Sequence, residues 1–170
     1  MVANLVTLTR ILLLPILAAA ILAGHSWTAL ALFLAAGATD VLDGQLARRL
    51  GQASPLGAML DLLADRLLTL TSLIALIATG AFAGAWIAAP LVLIARNFAV
   101  AGLQQALPEG DFDLAAIEYP KIALNFLGVS LLLAPVGAMD AGLWAIAASA
   151  VLSGASVALY LRRALPAFRD

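Results

Sequence analysis

Four aspartates, Asp40, Asp43, Asp61 and Asp65, sit with Arg48 and Arg66 in stretches that are otherwise almost wholly apolar. At the centre of a membrane-crossing helix each such charge costs about 2.5–3.5 kcal/mol on insertion scales, and less toward an end. A lysine or arginine can bury its stem and lift its head into water, but an aspartate is too short to do so. The carboxylates therefore need a compensating function. At about 100° per residue, Asp40, Asp43, Gly44, Ala47 and Arg48 share one helix face, and Gly57, Asp61 and Asp65 share another. Four carboxylates brought together repel one another unless cations lie among them. Two hard divalent ions, Mg²⁺ or Mn²⁺, held by carboxylate oxygen and open to phosphate, meet that need. Gly44, Ala47 and Gly57 leave room for a ligand beside the backbone, and the guanidinium of Arg48 suits phosphate. These residue types at this spacing point to a site that clamps a diphosphate for metal-assisted phosphoryl transfer.

The elements that must position these groups follow from the apolar runs. Of 170 residues, 64% are hydrophobic and 11% charged, with a mean hydropathy of +1.07. An ordinary soluble domain is about a quarter charged. We therefore expect an all-α integral membrane protein. A bilayer crossing takes roughly 20 apolar helical residues, and breaks at Gly, Pro and polar clusters place six spans near 4–23, 27–49, 55–79, 83–107, 114–138 and 141–165. No repeat, linker or low-complexity stretch interrupts residues 1–170, which read as a single domain. The first run lacks a basic leading segment and reads as a retained span rather than a signal peptide. Between the second and third runs, Leu50 to Ser54 followed by Pro55 reads as a helix stop, a capping serine and a first-turn proline. So short a turn makes the two helices antiparallel neighbours and lets their carboxylates converge.

Charge fixes the expected orientation. The turns at residues 24–26, 80–84 and 137–140 hold no Lys or Arg, whereas Arg48, Arg49, Lys121, Arg162, Arg163 and Arg169 mark the alternate ends. By the positive-inside rule those ends and both termini are cytoplasmic, with the active site at the cytoplasmic end. Trp27, Trp86 and Trp144 fall at the outer starts of the even-numbered spans, at the headgroup level that tryptophan favours. Nine basic against ten acidic residues give a net charge of −1, without the basic excess of a nucleic-acid binder. With no cysteine and one histidine, any metal must be held by oxygen.

From Asp40 to Asp65 the chain reads D-x2-D-G-x2-A-R-x8-G-x3-D-x3-D, which resembles the signature of the CDP-alcohol phosphatidyltransferases. The resemblance implies that CDP-diacylglycerol gives its phosphatidyl group to an alcohol and releases CMP. It also implies two metal ions among Asp40, Asp43, Asp61 and Asp65, with Asp65 as base, and a CDP site lined by Asp43, Gly44, Ala47, Arg48 and Gly57. Asn4, Thr7 and Arg10 resemble the opening of the family's phosphatidylglycerophosphate synthase branch. Ala95-Arg96 is similar to that branch's Ala-Arg-Glu segment, with Asn97 in place of Glu. Lys121 matches the first lysine of a Gly-Lys-x-Lys-Thr pattern from which Pro120, Ala123 and Leu124 depart. The implied acceptor is sn-glycerol 3-phosphate, a small phosphorylated alcohol, with Arg96 and Lys121 as its phosphate contacts. Cardiolipin synthesis and phosphatidylinositol phosphate synthesis are the alternatives within the family, and a homodimer is compatible with it. Arg96 could instead pair with a helix carbonyl or with Glu118, and Lys121 also serves orientation alone. Arg10 and Arg66 read as counter-charges. Outside the family, intramembrane carboxylates also suit a small cation transporter, but the internal duplication common in transporters is missing. The expected location is the cell membrane, multi-pass, among membrane lipids.

Overall fold

The computed structural model describes residues 2–49, 55–106 and 115–164. Every regular element in them is helical. α1 runs Val2–Leu22, α2 Ser26–Arg49, α3 Pro55–Ala78, α4 Ala88–Ala106, α5 Ala115–Leu133 and α6 Met139–Ala164, and a 3-10 turn, Gly84–Ile87, leads into α4. Each α-helix falls on one of the six apolar runs. Two helical stretches among the described residues, Gly84–Gly102 and Met139–Leu159, are long and apolar enough to cross a membrane. Thr7–Leu22 and Ser26–Thr39 are apolar but shorter.

Backbone chemistry ends the helices. Gly24 closes α1 at φ 73°, its N–H donating to Ile21 O at 3.0 Å while His25 N–H donates to Ala20 O at 3.0 Å. Gly80 closes α3 in the same way, through Ile77 O and Leu76 O. Both are Schellman caps, in which a left-handed residue without a Cβ lets two orphan carbonyls be satisfied. The fifth helix ends at Leu133, short of the expected 138. Pro135 disfavours the α conformation at Ala134 and has no N–H to donate, so the helix stops before it. The fourth begins as a 3-10 turn before becoming α-helical at Ala88.

The chain groups into two compact units. One holds Met1–Ala81 with Leu133–Gly137, the other Phe82–Leu132 with Ala138–Asp170. In the first, α1 is the principal partner of both α2 and α3, which touch each other much less than either touches α1. α1 is thus the helix that organises both α2 and α3. Its buried apolar residues are Leu14, Leu17, Ala20 and Ile21, beside Ala29, Phe33 and Ala36 of α2 and Ala64, Leu68, Leu73 and Leu76 of α3. Leu8, Leu12 and Ile16 form an exposed apolar stripe along α1, the kind of surface that suits lipid better than water.

In the second unit α4 packs along α6, and α5 crosses α6 where two glycines allow close approach. A Cβ on Gly128 would stand 2.8 Å from Cγ1 and Cδ1 of Ile146, and one on Gly142 2.8 Å from Cγ of Leu132. Small residues that bring backbones together are the usual means of packing helices without hydrophobic drive from water. At the opening of α4 and α6, Trp86 and Trp144 meet edge to face, with ring centroids 5.1 Å apart and planes at 88°. An apolar cleft of about 510 Å³ lies beside them, bordered by Val92, Ala147 and Val151.

Candidate active site

The motif spans α2 and α3. The backbone of α2 stays helical through Arg49, so Asp40, Asp43, Gly44, Ala47 and Arg48 keep the helical spacing expected of one face. Their side chains lie outside the described residues, and convergence of all four aspartates therefore falls outside them too. On α3, with Pro55 as its first residue, Gly57, Asp61 and Asp65 follow at successive turns. Asp65 is exposed, and Gly57 and Asp61 are half-buried.

Arg10 reaches this face from α1. It is 2% exposed, and its Nη1 lies 3.4 Å from Oδ1 of Asp61. Thr7, one turn earlier, is also buried, so Thr7 and Arg10 share an inward face of α1. A buried guanidinium must be paired to be tolerated. Asp61 supplies a partner, as expected of a counter-charge. The sequence identified Arg10 as such but named no partner for it, because nothing in the spacing between α1 and α3 reveals that α1 packs on the motif helix.

Asp61 and Asp65 are carboxylates one turn apart on a partly open face, and their all-oxygen chemistry suits a hard divalent cation. Among the described residues no group of three or more His, Asp or Glu could hold a metal. The remaining two aspartates of the motif lie outside the described side chains.

The second unit gathers the other sequence candidates. Nη2 of Arg96 on α4 donates to Oε1 of Glu118 on α5, and Nζ of Lys121 donates to Oε2 of the same carboxylate. Arg96 thus takes one of the partners weighed for it, Glu118. The guanidinium of Arg96 and the backbone of Lys121 are also tied to α6. Arg96 Nη2 lies 3.4 Å from Ser156 Oγ, and Ser149 Oγ donates to the backbone carbonyl of Lys121 at 3.0 Å. Ser149, Ser153 and Ser156 are fully buried at successive turns of α6. Ser153 Oγ and Arg96 Nε are buried without a hydrogen-bond partner. The sequence reading missed these serines. Their spacing of four and then three residues was the available signal, masked by the many small residues of that helix.

A family model described as CDP-alcohol phosphatidyltransferase matches residues 1–159. The chain is 38% identical over 110 residues to the CDP-diacylglycerol--glycerol-3-phosphate 3-phosphatidyltransferase of Pseudomonas fluorescens, covering 62% of this chain and 55% of that protein. It is 36% identical over 147 residues to the protein of the same name from Bacillus subtilis (strain 168), covering 76% and 75%. A third relative of that name, from Cereibacter sphaeroides, is 36% identical over 144 residues, covering 75% and 64%. The chain thus spans between about half and three quarters of the length of these relatives. With the motif intact across α2 and α3, and the match extending over nearly its whole length, the chain belongs to the CDP-alcohol phosphatidyltransferase family.

Proposed function

We propose that the protein is a six-span membrane enzyme, with both termini and its active site on the cytoplasmic side. It transfers the phosphatidyl group of CDP-diacylglycerol to sn-glycerol 3-phosphate, giving phosphatidylglycerophosphate and CMP. The observation that carries the choice of acceptor is the convergence of Arg96 and Lys121 on a single carboxylate. Two cations aimed at one anion suit a phosphate monoester, which carries about −1.5 to −2 charge at neutral pH. The names of the Pseudomonas and Bacillus relatives support the same acceptor.

In this mechanism Arg48 forks onto the diphosphate of CDP, and Gly44, Ala47 and Gly57, with Asp43, line the nucleotide's seat. Asp40, Asp43, Asp61 and Asp65 hold two divalent cations, Mg²⁺ or Mn²⁺, which when bound offset the charge of the diphosphate. Arg10, buried on α1, holds Asp61 in place. Arg96 and Lys121 anchor the acceptor through its phosphate. Asp65 takes the proton of the acceptor hydroxyl as its oxygen bonds to the phosphatidyl phosphorus. The bond from that phosphorus to the CMP oxygen breaks, and CMP leaves with the electron pair.

The test is CMP release by purified protein from CDP-diacylglycerol and sn-glycerol 3-phosphate with Mg²⁺ or Mn²⁺. Release that stops on chelation is expected. A protein that binds CDP-diacylglycerol yet releases no CMP with any alcohol would overturn the proposal, and metal-driven cation flux without CMP would favour a transporter.

A further inference from the structure

We propose that Glu118 is a built-in competing anion of the acceptor site: its carboxylate occupies the seat between Arg96 and Lys121, and the acceptor's phosphate must displace it. The inference rests on the assignment of Arg96 and Lys121 to the acceptor. It deepens that assignment by naming what decides which acceptors can hold the site.

Three observations carry it. First, the carboxylate is gripped as an acceptor phosphate would be, with one oxygen on Arg96 and the other on Lys121. Second, the side chain of Glu118 is 23% exposed, against 11% for Arg96 and 8% for Lys121. The anion is thus the accessible member of the trio, placed where an incoming anion arrives and a displaced carboxylate can leave. Third, Ser156 Oγ lies 3.4 Å from Arg96 Nη2 and Ser149 holds the backbone carbonyl of Lys121, so Arg96 keeps a side-chain contact on α6, and the turn of α5 that carries Lys121 keeps a backbone one, when Glu118 swings away. Arg96 Nε, buried without a partner, is a further donor that the two carboxylate oxygens leave unfilled.

Charge then sets a threshold. With Glu118 seated, the trio carries one net positive charge. Exchanging a singly charged carboxylate for a phosphate of about two negative charges gains attraction to both cations. A monoanion makes no such gain, and it must also compete with a carboxylate tethered at high effective concentration. A phosphodiester lipid is such a monoanion, so Glu118 disfavours it while still admitting a phosphate monoester.

The experiment compares wild type with Glu118→Gln in the CMP-release assay at pH 8. It measures the KM for sn-glycerol 3-phosphate and the inhibition constant of inorganic phosphate. A built-in competitor lowers the affinity of both anions by the same factor. Its removal should therefore lower both constants together by about fivefold or more, with kcat nearly unchanged; fivefold corresponds to about 1 kcal/mol at 1.4 kcal/mol per decade. A Glu118 that merely holds two cations together predicts the reverse, since Arg96 and Lys121 would repel and splay, and a raised KM overturns the inference. Should Glu118→Gln fail to fold, Glu118→Asp is the second variant. One methylene shorter, it cannot span both cations and should also lower the KM, whereas an unchanged or raised value counts against the competitor. Wild type that releases no CMP with glycerol 3-phosphate overturns the acceptor assignment and this inference with it. Turnover in wild type with a raised KM in the variant overturns the inference alone.

Discussion

Replacing Gly128 with alanine tests whether the crossing of α5 and α6 sets the geometry of the cation pair. The new Cβ would stand 2.8 Å from two carbons of Ile146 and 3.1 Å from its backbone nitrogen. Favourable carbon–carbon contact begins near 3.5 Å, so the overlap is about 0.7 Å. Ile146 is fully buried and its backbone cannot rotate out of the way, so α5 and α6 must separate. Overpacking of this kind costs about 1–3 kcal/mol, partly offset by the roughly 1 kcal/mol that alanine gains over glycine within a helix. At about 2–4 °C per kcal/mol for a chain of this size, a net loss of up to about 2 kcal/mol lowers Tm by up to about 8 °C, and by about 2–12 °C relative to a helical glycine-to-alanine change that meets no clash. Separation also pulls Lys121 from its 3.0 Å bond with Ser149, so the KM for glycerol 3-phosphate should rise with the loss of stability. Gly154→Ala on the same helix is the control, because nothing lies within 4 Å of its added Cβ, and it should not lower Tm. Adding Ile146→Val, which removes Cδ1, should recover part of the loss, a coupling that a double-mutant cycle measures. A Gly128→Ala protein as stable as Gly154→Ala, with an unchanged KM, would refute the reasoning.

The remaining predictions concern the motif and the topology. Asp61→Asn should abolish divalent-dependent CMP release at any metal concentration, because a charged oxygen ligand is lost; turnover restored by excess Mn²⁺ would point to a weaker role. Asp65→Asn should retain binding of CDP-diacylglycerol while losing turnover, as read by equilibrium binding beside CMP release. Arg48→Ala should weaken CDP binding by about tenfold or more, from the roughly 1.5–3 kcal/mol of a charge-assisted contact, without changing the KM for the acceptor. The chain has no cysteine, so single cysteines at His25 and Arg49 report topology by membrane-impermeant labelling, with His25 expected outside and Arg49 inside.

The parts of the molecule that depend on local chemistry were legible in the sequence. Glycines at the ends of apolar runs located the ends of α1 and α3, and the helical spacing of the motif survives on α2 and α3. The end of α5 was misplaced by five residues because the apolar run continues past Leu133, whereas the restriction that Pro135 puts on Ala134 acts on the backbone and leaves hydropathy untouched. Contacts between elements were less legible. The pairing of Arg10 with Asp61 joins residues 51 positions apart, and it depends on α1 rather than α2 being the main partner of α3. A short connection predicts adjacency, but the extent of packing depends on which faces fit, and α1, which buries Leu14, Leu17 and Ile21, packs on both neighbours. Glu118 was foreseen as one partner of Arg96. Its simultaneous hold on Lys121 follows from their separation by one helical turn on α5.

The central claim is transfer of a phosphatidyl group to sn-glycerol 3-phosphate, and the most direct measurement is the identity of the lipid product. Purified protein is given CDP-diacylglycerol and Mg²⁺ or Mn²⁺ with glycerol 3-phosphate, phosphatidylglycerol or inositol phosphate in turn, and CMP and the new lipid are quantified by mass spectrometry. Phosphatidylglycerophosphate formed one for one with CMP, from glycerol 3-phosphate and from neither of the others, is the predicted result. Cardiolipin formed from phosphatidylglycerol, with no product from glycerol 3-phosphate, would contradict it.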